Sequence, residues 1–143
     1  MKDKNKQVLI QYRLEQARTA LEEANLLMSK GKATLGAVNR AYYAMFYAVL
    51  ALLQHINKIP RKHSGVLALF DTEFVKKGIL SKELSHHLHQ AFESRQVSDY
   101  HMVDPIGRED AEEIISNAAN FLQTIEKYLE NIIHTPDSEE TGP

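Results

Sequence analysis

The chain has 143 residues, with 17 Lys and Arg against 19 Asp and Glu, a formal charge of −2, and no cysteine. That length suits one domain with a real core and is short for two. The charge excludes the strongly basic field of a general nucleic-acid binder, so RNA contact would need a local patch; the missing thiols exclude disulfides, thiolate zinc sites and a cysteine nucleophile.

The start, MKDKNKQVLIQYRLEQ, is charged and lacks the apolar run of a signal peptide. The longest apolar stretch, AYYAMFYAVLALL, is too short to span a bilayer and suits a buried helix. No membrane association is expected, and the cytoplasm is the expected location.

Apolar residues at Ile10, Leu14, Ala17, Leu21, Ala24 and Met28 recur at spacings of four and three and predict a helix from about Gln7 to Lys30, with Gly31 as its stop. A second helix is predicted from about Leu35 to Asn57. It carries two adjoining stripes, Leu35, Val38, Tyr42, Met45, Val49 and Leu52 beside Tyr43, Phe46, Leu50 and Leu53. A helix apolar over so much of its circumference packs on more than one side. Tyr42, Tyr43, Phe46 and Tyr47 read as core, with hydroxyls free to reach polar partners at the edge.

Pro60 breaks the chain, and SGVLALFDTEFVKKG predicts a short helix capped by Ser64 and ended by Gly78. The turn before it, Arg61, Lys62, His63 and Ser64, is basic and leads into a helix N-terminus. It reads either as a solvated, capped loop or as a phosphate site. A fourth helix starts near Ser81 and runs to about Asp99. A fifth covers roughly Arg108 to Ile133, on the stripe Ala111, Ile115, Ala118, Leu122, Ile125, Leu129 and Ile132. Residues 135–143 form a polar tail expected to be disordered, leaving 1–134 as the domain. With no strand alternation, the expected fold is all-α: an up-and-down bundle of four long helices and one short one.

The fourth helix carries the chemistry. Its apolar face, Leu84, Leu88, Ala91 and Phe92, continues onto Arg95 and then Asp99. An arginine on an inward stripe must be paired or lie at an opening to solvent. The plain reading is an Arg95–Asp99 ion pair at i,i+4. The sharper one is an anion site, with Arg95 on a phosphate and His101 in acid–base work. Asn39 and Arg40 read as a helix-surface residue and an ion-pair donor, or as lining the same site. His86, His87 and His89 lie close together, but a metal needs a third ligand in fixed geometry, and no metal or other cofactor is expected.

NRAYYAMFYAVLALL, then RKHSGVLALFDTEFVKKG, then RQVSDYH, in that order, resemble the HEPN superfamily. The likeness is to small stand-alone members encoded beside a minimal nucleotidyltransferase, and it covers nearly the whole chain. It implies an all-α homodimer and a metal-independent endoribonuclease motif, an arginine followed after four to six residues by a histidine. Arg95 and His101 match that spacing.

The implied reaction is attack of a ribose 2′-hydroxyl on the adjacent phosphorus. His101 would be the proton acceptor, Arg95 the charge on the phosphoryl oxygens, and Asn39, Arg40, Gln96, Asp99 and Tyr100 would line the substrate site. Gln96 meets the family's polar position after the arginine. Tyr100 precedes His101 instead of following it by two, which displaces it from the tyrosine that partner nucleotidyltransferases adenylylate in toxin relatives. Members closest to this chain carry arginine, three residues, then Asp-Tyr, often without the histidine. The resemblance therefore implies the ribonuclease toxin of a toxin–antitoxin pair. Its alternative is a non-catalytic module that binds nucleotide, RNA or a nucleotidyltransferase. In a third, purely structural reading, Arg95 and Asp99 only pair.

Overall fold

The structure, a computed structural model, describes residues 2–30, 34–100 and 107–134, and the side chains within them except at positions 2, 3, 96–100, 133 and 134. Helix α1 spans Lys2–Ser29, α2 Thr34–His55, α3 His63–Phe70, α4 Lys82–Tyr100 and α5 Arg108–His134. One wider turn of π type, Asp71–Val75, continues α3. Among the described residues there is no strand, and the all-α bundle of four long helices and one short one is the expected architecture.

Helix α2 is the hub: it touches α1, α3, α4 and α5. The cause is its composition. From Ala44 to Leu53 every side chain is buried except Tyr47, which is half-buried. Ala37, Ala41, Ala44, Ala48 and Ala51 keep the helix narrow enough for neighbours to approach on several sides, while Met45, Val49, Leu52 and Leu53 fill the space between. Each large apolar side chain buried this way contributes about 1.5–3 kcal/mol relative to exposure.

Helix α1 packs along α2 on Ile10, Leu14, Ala17, Ala20, Ala24 and Met28, with Leu21 half-buried at the margin. Lys6 Nζ donates to the His55 carbonyl at 2.9 Å, joining the start of α1 to the end of α2 and fixing them antiparallel. Arg18 pairs with Glu126 across to α5 at 2.6 Å. The apolar stripe predicted for α5 is buried from Ala111 to Leu129, and Ile132 is half-buried. Phe121 of α5 meets Phe70 of α3 with ring centroids 5.4 Å apart.

The element ends have local causes. Gly78 sits at φ 78°, in the left-handed region glycine tolerates, and closes the π turn as the Ile79 and Leu80 amides donate back to the Phe74 carbonyl. Ser81 Oγ accepts the Leu84 amide at 3.4 Å, the expected N-cap. Ser64 is not the cap of α3. The helix begins one residue earlier, at His63, with Lys62 extended before it and no side-chain cap bond there. Gly31 lies outside the described residues. Among the described residues no helix is long and apolar enough to cross a membrane.

Candidate functional site

Three elements converge on the N-terminal half of α2. That half presents Tyr42 and Phe46 on one face and Arg40, Tyr43 and Tyr47 beside it, at the three- and four-residue spacings that stack side chains on a helix. Tyr42 is fully buried; Arg40 and Tyr43 are half-buried.

Helix α4 brings Phe92 and Arg95, three residues apart on one face. Phe92 packs on Tyr42 with centroids 5.6 Å apart. The Arg95 guanidinium carbon lies 5.4 Å from the Tyr42 ring centre and 5.4 Å from that of Tyr43. This is cation–π range, and it explains how a cation holds an inward position as the helix leaves the core. Arg40 approaches Tyr43 from α2 itself, at 5.1 Å. Its Nη1 also donates to Glu23 Oε1 of α1 at 3.0 Å.

The third element is the first residue of α3. The His63 ring stacks on Phe46 at 4.2 Å and 26°, and lies 5.9 Å from both Tyr42 and Tyr43. Its Nδ1 is 3.0 Å from the Tyr42 hydroxyl. Gly65 permits this placement: a Cβ there would stand 3.1 Å from the Pro60 Cβ, so the preceding loop folds closely onto the first turn of α3.

The electrostatics follow from burial. Loss of water pushes the Tyr42 phenol far above its ordinary range; the Arg95 charge offsets part of this and Tyr43 adds to it. The same loss of water, with the Arg95 charge second, lowers the His63 imidazole below its ordinary 6.5. At neutral pH the cluster therefore holds a protonated phenol, a neutral imidazole and two guanidinium groups around the half-buried Tyr43 ring. It can attract an anion and exchange a proton beside it.

Of the residues singled out in the sequence, Arg40 and Arg95 meet at Tyr43. Asn39 is half-buried on the same stretch of α2. Gln96, Asp99 and Tyr100 stand on the last turns of α4 with side chains outside the described ones, and His101 lies outside the described residues. His63 was legible only as part of a basic turn; in the structure it is half-buried against the aromatic cluster. No local signal announces this, because its hydrogen-bond partner Tyr42 is 21 residues away and on another helix.

His89 behaves differently. His89 Nε2 is 2.7 Å from Asp71 Oδ2, and Ser85 Oγ donates to Asp71 Oδ1 at 2.6 Å, tying α4 to the π turn. Among the described residues no three His, Cys, Asp or Glu side chains are grouped to hold a metal ion.

A helical bundle built on one aromatic hub, with cations gathered where its fourth helix leaves the core, defines the class. The HEPN domain model matches residues 10–128. A "UPF0332 protein" of Thermotoga maritima is 42% identical over 127 residues, covering 89% of this chain and 96% of that one. "Putative toxin MJ0142" of Methanocaldococcus jannaschii is 43% identical over 93 residues, 65% of this chain and 63% of that protein. "Putative toxin MJ0605" of the same organism is 36% identical over 124 residues, 87% and 91% of the two chains. The chain belongs to the HEPN domain family.

Proposed function

We propose that this HEPN protein is a metal-independent endoribonuclease, the toxin of a toxin–antitoxin pair. The observation that carries the reading is Arg95, held on the faces of Tyr42 and Tyr43 at the end of α4, six positions before His101. Two relatives with "toxin" in their names support the toxin assignment.

In this reading Arg95 neutralises charge developing on the phosphoryl oxygens, and Arg40 adds to the positive field. A base removes the 2′-hydroxyl proton and the oxygen attacks phosphorus. The bond to the 5′ oxygen breaks and that oxygen takes up a proton, leaving a 2′,3′-cyclic phosphate and a 5′-hydroxyl. Gln96, Asp99, Tyr100 and Asn39 line the RNA path, and His101 takes part in proton transfer. The protein works in the cytoplasm as a homodimer that brings two such sites together. Its partner is a minimal nucleotidyltransferase acting as antitoxin.

The test is cleavage of total tRNA and an mRNA by purified protein in EDTA, beside Arg95→Ala and His101→Ala. Cutting by the wild type, lost in Arg95→Ala, with cyclic-phosphate ends, is expected. A folded wild type that binds RNA or nucleotide without cutting would replace this reading with a binding module.

A further inference from the structure

We infer that His63 is the acid–base residue of the Arg95 site and that Tyr42 is its positioning residue. The inference rests on the ribonuclease reading and gives it a proton acceptor on a different helix from the arginine motif.

The geometry carries it. Arg95 and His63 come from different elements yet lie against the same two rings, Tyr42 and Tyr43. Any phosphate drawn to that guanidinium arrives beside this imidazole. The ring is held at two points: stacked on Phe46 at 4.2 Å, and hydrogen-bonded through Nδ1 to the Tyr42 hydroxyl at 3.0 Å. A histidine oriented through one ring nitrogen by a buried polar group, with the other nitrogen left for chemistry, is the arrangement acid–base catalysis needs. His63 is half-buried, whereas the hydroxyl-bearing ring that orients it is fully buried and protonated.

The groups facing His63 are Tyr42 and Tyr43 from α2 and Arg95 from α4, with Arg61 and Lys62 in its own turn. Among the described side chains that face it none is a carboxylate, and burial lowers its basicity further. The ring is neutral when substrate arrives.

The proton moves as follows. The reacting tautomer is the one with Nδ1–H toward the Tyr42 oxygen and the lone pair on Nε2. Nε2 takes the 2′-hydroxyl proton as the 2′ oxygen bonds to phosphorus. The 5′ oxygen takes up a proton as the P–O5′ bond breaks, the His63 imidazolium gives its own back to solvent, and Arg95 balances the phosphoryl charge throughout.

The test is the pH dependence of RNA cleavage in EDTA by the full chain, for the wild type, His63→Gln and Tyr42→Phe, each with its thermal melt. His63→Gln is expected to lower kcat about 100-fold or more, with KM little changed, and to flatten the acid limb of the profile. Tyr42→Phe is expected to keep the limb but move its midpoint, with about a tenfold loss in kcat. Two results would overturn the inference: a wild-type acid limb in His63→Gln, or cleavage lost only together with the melting transition. A wild type that cuts nothing removes the ribonuclease reading and this inference with it. Cutting that survives His63→Gln removes only the inference.

Discussion

Arg40 and Arg95 stand on different helices, yet their guanidinium carbons lie 5.1 and 5.4 Å from the centre of one ring, that of Tyr43. Two cations against one phenol ring repel each other. The ring's negative face offsets part of that repulsion, and Glu23 pairs with Arg40. The charge felt by the Tyr42 phenol and the His63 imidazole is that of Arg95, which ranks it first of the two.

Arg95→Ala should weaken binding of a short single-stranded RNA about tenfold and lower the salt slope by about 0.7, the loss of one phosphate contact. Arg40→Ala should do less, because Arg95 is the charge felt at Tyr42 and His63. Fluorescence anisotropy across a salt series measures both; equal effects of the two substitutions would refute the ranking.

Tyr43 should matter to stability through its ring and not its hydroxyl. Tyr43→Phe should stay within about 0.5 kcal/mol of the wild type, and Tyr43→Ala should lose about 2–4 kcal/mol from packing and two cation–π contacts. Urea unfolding of both variants checks the order.

His63 and His55 both sit below their ordinary 6.5, His55 through burial and then the Lys6 charge. The sign follows from proton uptake. Between the folded and unfolded values the unfolded chain binds more protons, so stability is full above about pH 6.5 and falls as pH drops through the folded values. Melting temperature should decline from about pH 7 to pH 5, and the decline should shrink in a His55→Gln, His63→Gln double variant. An undiminished decline would place its origin elsewhere.

Asp71 accepts from both Ser85 and His89 and is the polar tie between the π turn and α4. Asp71→Ala should cost about 1–2 kcal/mol, toward the lower end because the pair is partly exposed. At the hub, Leu52→Ala should cost about 2–5 kcal/mol and Ala48→Leu about 1–3 kcal/mol, the first by cavity and the second by overpacking. Thermal melts rank the three.

The helices were legible because burial repeats along them: Ile10, Leu14, Ala17 and Ala24 on α1, and Ala111 through Leu129 on α5, face the core as their spacing says. Ser81 was legible as a cap because its hydroxyl acts on the next turn of its own helix. Ser64 resembled one equally well, but Lys62 takes the cap position of α3 and Ser64 lies inside its first turn. Arg95 was legible as an inward arginine, since it continues the face of Leu88 and Ala91. The aromatic seat that makes this position tolerable was not. It is assembled from α2, α3 and α4, and contacts between helices leave no periodic mark. The Tyr42–His63 bond was hidden for the same reason.

The chain has no tryptophan and six tyrosines. Its near-ultraviolet emission therefore belongs to phenols alone, and one of them, Tyr43, lies half-buried beside two guanidinium groups. A ligand that draws either arginine away from that ring changes the optical surroundings of a native fluorophore. The protein carries its own label for whatever Arg95 holds, readable without attaching a dye.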